Sequence, residues 1–457
     1  GYAQDVFKVN DRLTLTLGLR YENFAGWPWT EVNDRMYQWV PSIQNVVRVG
    51  TGQVPWRSGI PGDNNNLAPR VGLAYRIEPK TVFRAAYGVY YSAPQLDITR
   101  NLAANPPEFV SSAFTNNQYD FLGARAASQG FDRPAEGSVQ GSLRALDIGA
   151  RTPYTQQWNA TVQRQLPASI SLTVAYVGTK GTKLQGYPDV NQAVPGTTPL
   201  ASRRPFSAFT AIQQIQTRYN SSYNGLQVTG ERRFARGLSF QLAYTYSHTI
   251  TDLNGGDQFS GNMDIRNIRL DRGNSDFDMR HRFVASWTYD LPFHTNSPFK
   301  RVVEGWQVNG IFSRFLGLPF SVGSSSNTLN TGGSTRADRL RDGSLPSDQR
   351  TLARWFDTTA FAVPGPQKFG NGGRNILLGP GTSQLDFSLF KDFRFSANES
   401  RRIQFRSEFF NLFNTPQFNN PNATLGTAGF GSISSAGAPL NLQRTSRQIQ
   451  FALKLYF

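Results

Sequence analysis

The chain has 457 residues, with 47 Lys+Arg against 31 Asp+Glu for a net charge of +16, and its 34 Phe, 17 Tyr and 8 Trp exclude a disordered chain, which has little to bury. The absence of Cys closes disulfide, thiolate-zinc and cysteine-nucleophile chemistry, and 3 His (His248, His281, His294) and 3 Met leave little for a transition-metal site. No run approaches about 18 consecutive apolar residues, so no membrane-spanning helix is expected.

Gly1-Tyr2-Ala3-Gln4-Asp5 has neither the basic start nor the apolar stretch of a secretory signal, and the chain reads as the downstream piece of a longer precursor. From there the pattern is two-residue alternation, the mark of strands with one apolar and one polar face. Leu13, Leu15, Leu17, Leu19 and Tyr21 alternate with Thr14, Thr16, Gly18, Arg20 and Glu22. The same period runs through Phe83, Ala85, Tyr87, Val89 and Tyr91, through Leu238, Phe240, Leu242, Tyr244 and Tyr246, and through Phe283, Ala285, Trp287, Tyr289 and Leu291. It closes the chain in Ile449, Phe451, Leu453, Leu455 and Phe457.

Thirteen strands are predicted, near 2–9, 12–22, 66–76, 81–91, 154–166, 170–180, 223–234, 238–248, 281–291, 306–315, 384–393, 401–413 and 446–457. Short turns at Asn10-Asp11, 77–80, 167–169, 235–237, 292–305 and 394–400 alternate with long Gly/Asn/Ser/Pro-rich insertions at 23–65, 92–153, 181–222, 249–280, 316–383 and 414–445. Short and long connections never exchange order. An up-and-down meander with all its long loops at one end is the plan of outer-membrane barrels, and a soluble sandwich has no reason to sort its loops this way. About eleven residues per strand at about 3.3 Å each, tilted by about 45°, rise roughly 26 Å, which matches an apolar band of about 25 Å. Tyr21, Tyr91, Tyr176 and Tyr246 stand where an interfacial aromatic girdle belongs.

The fold expected is therefore all-β, an antiparallel up-and-down transmembrane barrel in the outer membrane. Its apolar face meets lipid and its polar face, with Arg20, Glu22, Arg84, Arg282, Arg406, Glu408 and Lys454, lines the lumen. The alternative, a soluble barrel or sandwich with the apolar face inward, is disfavoured by the loop sorting. The terminal alternation Ile449, Phe451, Leu453, Leu455, Phe457 resembles the signal by which such barrels are handed to the barrel assembly machinery. A C-terminal edge strand inside a sheet is the plain structural alternative.

Six segments extend the resemblance. They are Leu67-Ala68-Pro69-Arg70-Val71-Gly72-Leu73-Ala74-Tyr75, Arg151-Thr152-Pro153-Tyr154-Thr155-Gln156-Gln157-Trp158-Asn159 and Ala175-Tyr176-Val177-Gly178-Thr179-Lys180-Gly181, then Tyr223-Asn224-Gly225-Leu226-Gln227-Val228, Asp276-Phe277-Asp278-Met279-Arg280-His281-Arg282-Phe283 and Phe405-Arg406-Ser407-Glu408-Phe409-Phe410-Asn411-Leu412-Phe413-Asn414. In this order they resemble the barrel of TonB-dependent outer-membrane receptors, in particular the Oar-like group with an N-terminal carboxypeptidase-regulatory-like domain. The resemblance implies a barrel of about 22 strands filled by an N-terminal plug, with a short box contacting TonB. No segment here supplies plug or box. The chain is thus expected to be the C-terminal portion of the barrel, about 13 strands of about 22, with two unpaired edges near 2–9 and 446–457. It also implies uptake or display of bulky organic material such as a glycan, peptide or chelate.

The charge does not point to nucleic acid. Its 8 Lys and 39 Arg are scattered, with no dense run, and fit guanidinium–carboxylate pairs in a lumen or loops meeting lipopolysaccharide phosphates. No Gly-x-Ser-x-Gly elbow, phosphate-binding loop or His-Glu-x-x-His pair is present, so no catalytic residue, cofactor or metal is assigned. Asp276 and Asp278 offer oxygen ligands for a hard cation, but a salt-bridged loop base with Asp271, Arg272, Arg280, His281 and Arg282 is the favoured alternative. Asn159-Ala160-Thr161 and Asn422-Ala423-Thr424 match a glycosylation triplet by chance. Loops 92–153 and 316–383 are the expected ligand contacts, where Trp355 and Phe356 suit sugar stacking as readily as self-packing. A passive porin, an adhesive barrel and a secreted polysaccharide-binding β-protein are the competing functions.

Overall fold

The computed structural model describes residues 1–24, 35–92, 101–107, 109, 141–253, 262–326, 328–394, 401–437 and 446–457. Strands β1 (Tyr2–Lys8), β2 (Leu13–Glu22), β3 (Asn66–Glu78), β4 (Thr81–Tyr91), β5 (Tyr154–Leu166), β6 (Ile170–Gly186) and β7 (Ile212–Ala235) are followed by β8 (Leu238–Thr251), β9 (His281–Asp290), β10 (Trp306–Phe315), β11 (Thr382–Arg394), β12 (Arg402–Phe410) and β13 (Gln448–Tyr456). They pair in strict chain order, each antiparallel to the next, and among the described residues β1 and β13 stay unpaired at the two edges of an open sheet. The thirteen strands match those expected from the alternation.

The turns follow from local chemistry. Arg236 and Gly237 join β7 to β8 with φ of 50° and 77°, the positive-φ pair of a two-residue hairpin. Asn10 caps the first turn, its Oδ1 accepting from the backbone of Arg12 at 2.8 Å and Leu13 at 2.9 Å. Of the turn expected at 394–400, Arg394 is the last residue of β11 and 395–400 lie outside the described residues.

Register assigns the faces, because directly opposed residues in an antiparallel pair share a side. Leu17 opposes Val71, Val71 opposes Tyr87, and Tyr87 opposes Trp158. Further along, Tyr176 opposes Leu226, Leu226 opposes Tyr246, Leu242 opposes Ala285 and Phe405 opposes Leu453. The apolar row is thus continuous from β2 to β13. Its members are solvent-accessible, with Leu17 54%, Leu242 42% and Leu453 70% exposed. Such a belt on a water-soluble protein would be far larger than a monomer tolerates, whereas acyl chains cover it without cost. Trp158 lies over Gly178 and Trp287 over Gly310 on this face, so close that a Cβ on either glycine would meet an indole ring at 2.2 or 2.1 Å. Asp5 in β1 opposes Leu17 and Glu78 at the end of β3 opposes Thr81, two acidic exceptions on the apolar side.

Two expectations about lengths are revised. Only the two ends of the segment 181–222 are strand: β6 continues to Gly186 and β7 begins at Ile212, pairing Gln216 with Gly186, and β8 runs on to Thr251. Tyr176 and Tyr246 therefore stand below the strand ends. Past the band both faces meet water or loops, so alternation stops while the hydrogen-bonded ladder goes on.

The buried clusters lie in the long connections and against the start of β7, beyond the apolar belt. One cluster gathers Met36, Val40, Val49, Val54, Leu102, Leu146, Tyr187 and Ile215; a second joins Trp39, Leu143, Ala145, Phe209 and Ile212; a third is built on Phe320, Val322, Phe356, Phe361 and Leu377. The segment Leu143–Leu146 pairs in parallel with the top of β7, Leu143 opposite Ile212.

Candidate functional site

The described parts of the long connections form a folded layer over the end of the sheet remote from the short turns. Buried polar side chains tie it together. Asn105 and Arg144 exchange bonds, Nδ2 to the Arg144 carbonyl at 2.7 Å and the Arg144 N–H to Oδ1 at 2.8 Å. Asn191 Nδ2 donates to the carbonyls of Phe206 at 3.0 Å and Phe209 at 2.9 Å. Gln192 links neighbouring connections, donating to the Met263 carbonyl and accepting from the Ile265 N–H, both at 3.0 Å.

The polar cluster picked out by sequence lies in this layer, and the structure decides between its two readings. Asp271 is fully buried and accepts from Asn262 Nδ2, the Met263 N–H and Arg336 Nη1, each at 3.0 Å. Asp278 accepts from the Thr249 N–H and Arg280 Nε, both at 2.7 Å. Asp276 lies 3.2 Å from Arg374 Nη2. Each carboxylate is taken by a guanidinium, so the cation reading of Asp276 and Asp278 is replaced by a salt-bridged loop base. Arg336 and Arg374 belong to it and went unassigned in the sequence, because they lie 65 and 98 residues from their acids.

His281 is not a member. By register it faces Tyr246 on the apolar side, and its Nδ1 is 2.8 Å from the Tyr244 hydroxyl, which makes it part of the outer aromatic girdle. In the sequence His281 is in phase with Phe283 and Ala285.

The expected aromatic platforms separate. Phe356 is 1% exposed and packs against Phe320, Phe361 and Phe430 at centroid distances of 5.6, 5.8 and 5.3 Å, so it serves self-packing and offers no stacking face. Trp355 is half-buried, donates from Nε1 to the Leu378 carbonyl at 2.8 Å and carries the Arg350 guanidinium 5.5 Å over its ring. Nearby, Asp357 accepts from the Thr359 hydroxyl at 2.7 Å and Arg341 Nη2 at 2.8 Å. These bonds, Thr359 first, hold its carboxyl below the ordinary range. Most of the expected loop 92–153 lies outside the described residues.

On the polar side, Arg20 pairs with Glu22, and Arg402 lies 3.7 Å from Asp392. Three other predicted lumen cations are held differently. Arg84 donates to Gln163 at 2.9 Å, Arg282 lies 5.3 Å from the Phe315 ring and Arg406 4.5 Å from Phe390. A cavity of about 730 Å³ opens on this wall, with Glu231, Gln241, Asn309, Asp386, Ser388 and Glu408 among its lining. The buried Asn309 Nδ2 has no partner there.

The terminal residues Ile449, Phe451, Leu453 and Leu455 occupy one face of the edge strand β13, and Phe457 directly follows it. Phe451 stacks on Phe405 at 6.1 Å and 14°, and Phe457 is 95% exposed.

The solved structures similar to this chain include the FrpB iron transporter from Neisseria meningitidis (10% identity, TM-score 0.46, 99% of this chain and 44% of that one). They also include the outer membrane transporter YddB from Escherichia coli (10% identity, TM-score 0.49, 98% and 43%) and the ferric-catecholate import receptor Fiu from E. coli (12% identity, TM-score 0.44, 100% and 44%). The chain spans less than half the length of these proteins. No curated protein sequence matches it. The family model for the outer membrane beta barrel domain matches residues 1–450. Sorted loops, an exposed apolar belt and buried clusters gathered beyond it suit a chain solvated by lipid, and the chain belongs to the outer membrane β-barrel domain family, a protein of the cell outer membrane.

Proposed function

We propose that this chain is the C-terminal part of the barrel of a TonB-dependent receptor of the Oar-like group, which takes up a bulky organic ligand such as a glycan, peptide or chelate. The observation that carries the reading is the ordered set of six family-like segments, from Leu67–Tyr75 to Phe405–Asn414, laid on an outer-membrane barrel sheet. In this reading the unpaired edges of β1 and β13 join further strands of the same protein, and the polar wall with its cavity faces an N-terminal plug. The plug contacts TonB, ligand meets the folded loop layer, and lipid and lipopolysaccharide surround the belt. No enzymatic step is assigned.

The test is TonB dependence in the full-length protein. Cells carrying it should lose ligand uptake when TonB is deleted, and the protein in planar bilayers should be electrically silent. Steady conductance with TonB-independent uptake would replace this reading by the passive porin.

The end of β13 is assigned to recognition by the barrel assembly machinery, since a hydrophobic strand ending on an exposed aromatic residue suits capture by another strand edge. Deleting Phe457 is expected to leave synthesis unchanged and cut the heat-modifiable, folded fraction in outer membranes by about tenfold, about 1.4 kcal/mol if partition is at equilibrium. An undiminished folded fraction would return Phe457 to a plain edge-strand role.

A further inference from the structure

The connection from Leu291 to Gly305 is out of proportion to its neighbours. The hairpins at Pro79-Lys80, 167–169 and Arg236-Gly237 take two or three residues, whereas this one takes fifteen and includes the helical turn Lys300–Val303. It does not hang free. Trp306 Nε1 donates to the Val302 carbonyl at 2.9 Å, and Lys391 Nζ donates to the Glu304 carbonyl. Trp306 and Lys391 oppose each other, and Lys391 opposes Phe405, so both belong to the apolar row. The connection is therefore folded back over the lipid side of the wall, where it leaves Lys391 2% exposed.

What it presents outward is amphipathic. Phe299 is 70%, Val302 60% and Phe293 50% exposed, beside the exposed cations Lys300 and Arg301. Lys300 keeps only a loose contact with Glu304, at 3.8 Å with 65% of its side chain exposed. Further lipid-side cations lie at this end of the wall, within a few residues of a short turn: Arg232 opposes Phe240, and Arg164, 3.9 Å from Glu78, opposes Thr81. Apolar side chains next to Lys and Arg at the margin of an acyl-chain belt are the composition of an interfacial anchor.

We propose that the Leu291–Gly305 connection inserts into the periplasmic leaflet and binds the headgroups of anionic glycerophospholipids. Phe293, Phe299 and Val302 enter the upper acyl region, and Lys300 and Arg301 meet the phosphates. Lipid is the occupant because the patch is continuous with the belt already covered by lipid and its charge complements phosphate. The proposal rests on the outer-membrane assignment, not on the receptor reading.

The chain has no cysteine, so a fluorophore can be placed at one site. In the full-length protein, with any thiol outside this chain replaced, Phe299→Cys is labelled with an environment-sensitive dye. Asp11→Cys, in the first short turn, is the water-facing reference, and Val302→Cys serves if Phe299→Cys does not fold. Nanodiscs of phosphatidylethanolamine and phosphatidylglycerol carry a nitroxide lipid labelled near the headgroup. The Phe299 dye should be quenched at least about twofold more than the Asp11 dye, and Lys300→Gln with Arg301→Gln should abolish the increase in quenching that phosphatidylglycerol produces. Equal quenching at the two sites, the result expected of a patch that docks a periplasmic protein, overturns the proposal. So does quenching insensitive to phosphatidylglycerol in the unaltered charge background.

Discussion

Leu242→Arg is expected to abolish most folded barrel in the outer membrane, whereas Gln241→Arg one residue away is expected to assemble normally. Leu242 lies five residues from the Arg236-Gly237 turn, opposite Gly230 and Ala285 on the lipid side. Five residues at about 3.3 Å each, tilted by about 45°, put it roughly 12 Å into the band. An arginine at that depth costs about 2 to 4 kcal/mol, a large share of the roughly 5 to 15 kcal/mol that holds a folded protein together. Gln241 opposes Glu231 and Ser286 on the polar side, where a guanidinium finds water and a carboxylate. Comparing the heat-modifiable fraction of the two variants in purified outer membranes checks the facing assignment, and equal yields would refute it.

Asp271→Ala is expected to unfold part of the loop layer while leaving the barrel intact. The substitution strips Arg336, itself only 8% exposed, of its anion, and leaves Asn262 Nδ2 and the Met263 N–H without an acceptor. Removing one partner of a buried pair costs about 3 to 5 kcal/mol, most of it from the charge left behind. Hydrogen exchange should accelerate over 262–272 and 335–337, with β8 to β11 still protected. Replacing both partners, Asp271→Leu with Arg336→Met, should recover much of the loss, because no uncompensated charge remains. Unchanged exchange in Asp271→Ala would show that the pair does not hold the layer.

The two variants probe different solvents, and that difference governs how much could be read in advance. Along Leu13 to Tyr21, or Leu238 to Tyr246, lipid on one side and water on the other impose a strict period of two, so the strands, their faces and their order are written locally. His281 follows the same rule: phase alone places it beside Tyr244 and Tyr246, whereas proximity in sequence to Asp276 and Asp278 suggested the loop base. Above the band the rule lapses. Residues 212–222 carry Gln213, Gln214, Gln216 and Arg218, read as insertion, and yet they pair through β7.

The sequence by itself determined the thirteen strands, the sorting of short and long connections, the outward face and the apolar ending at Phe457, because each is a repeating response to a planar boundary between oil and water. Only the tertiary structure decided that Asp271 meets Arg336 and Asp276 meets Arg374, that Phe356 is buried among three other phenyl rings, and that the Leu291–Gly305 connection folds onto the lipid side. Those contacts join segments up to about a hundred residues apart, or depend on which way a loop turns. No local period encodes either, since burial of charges and rings in the layer is decided by whichever complementary partner the barrel brings within reach.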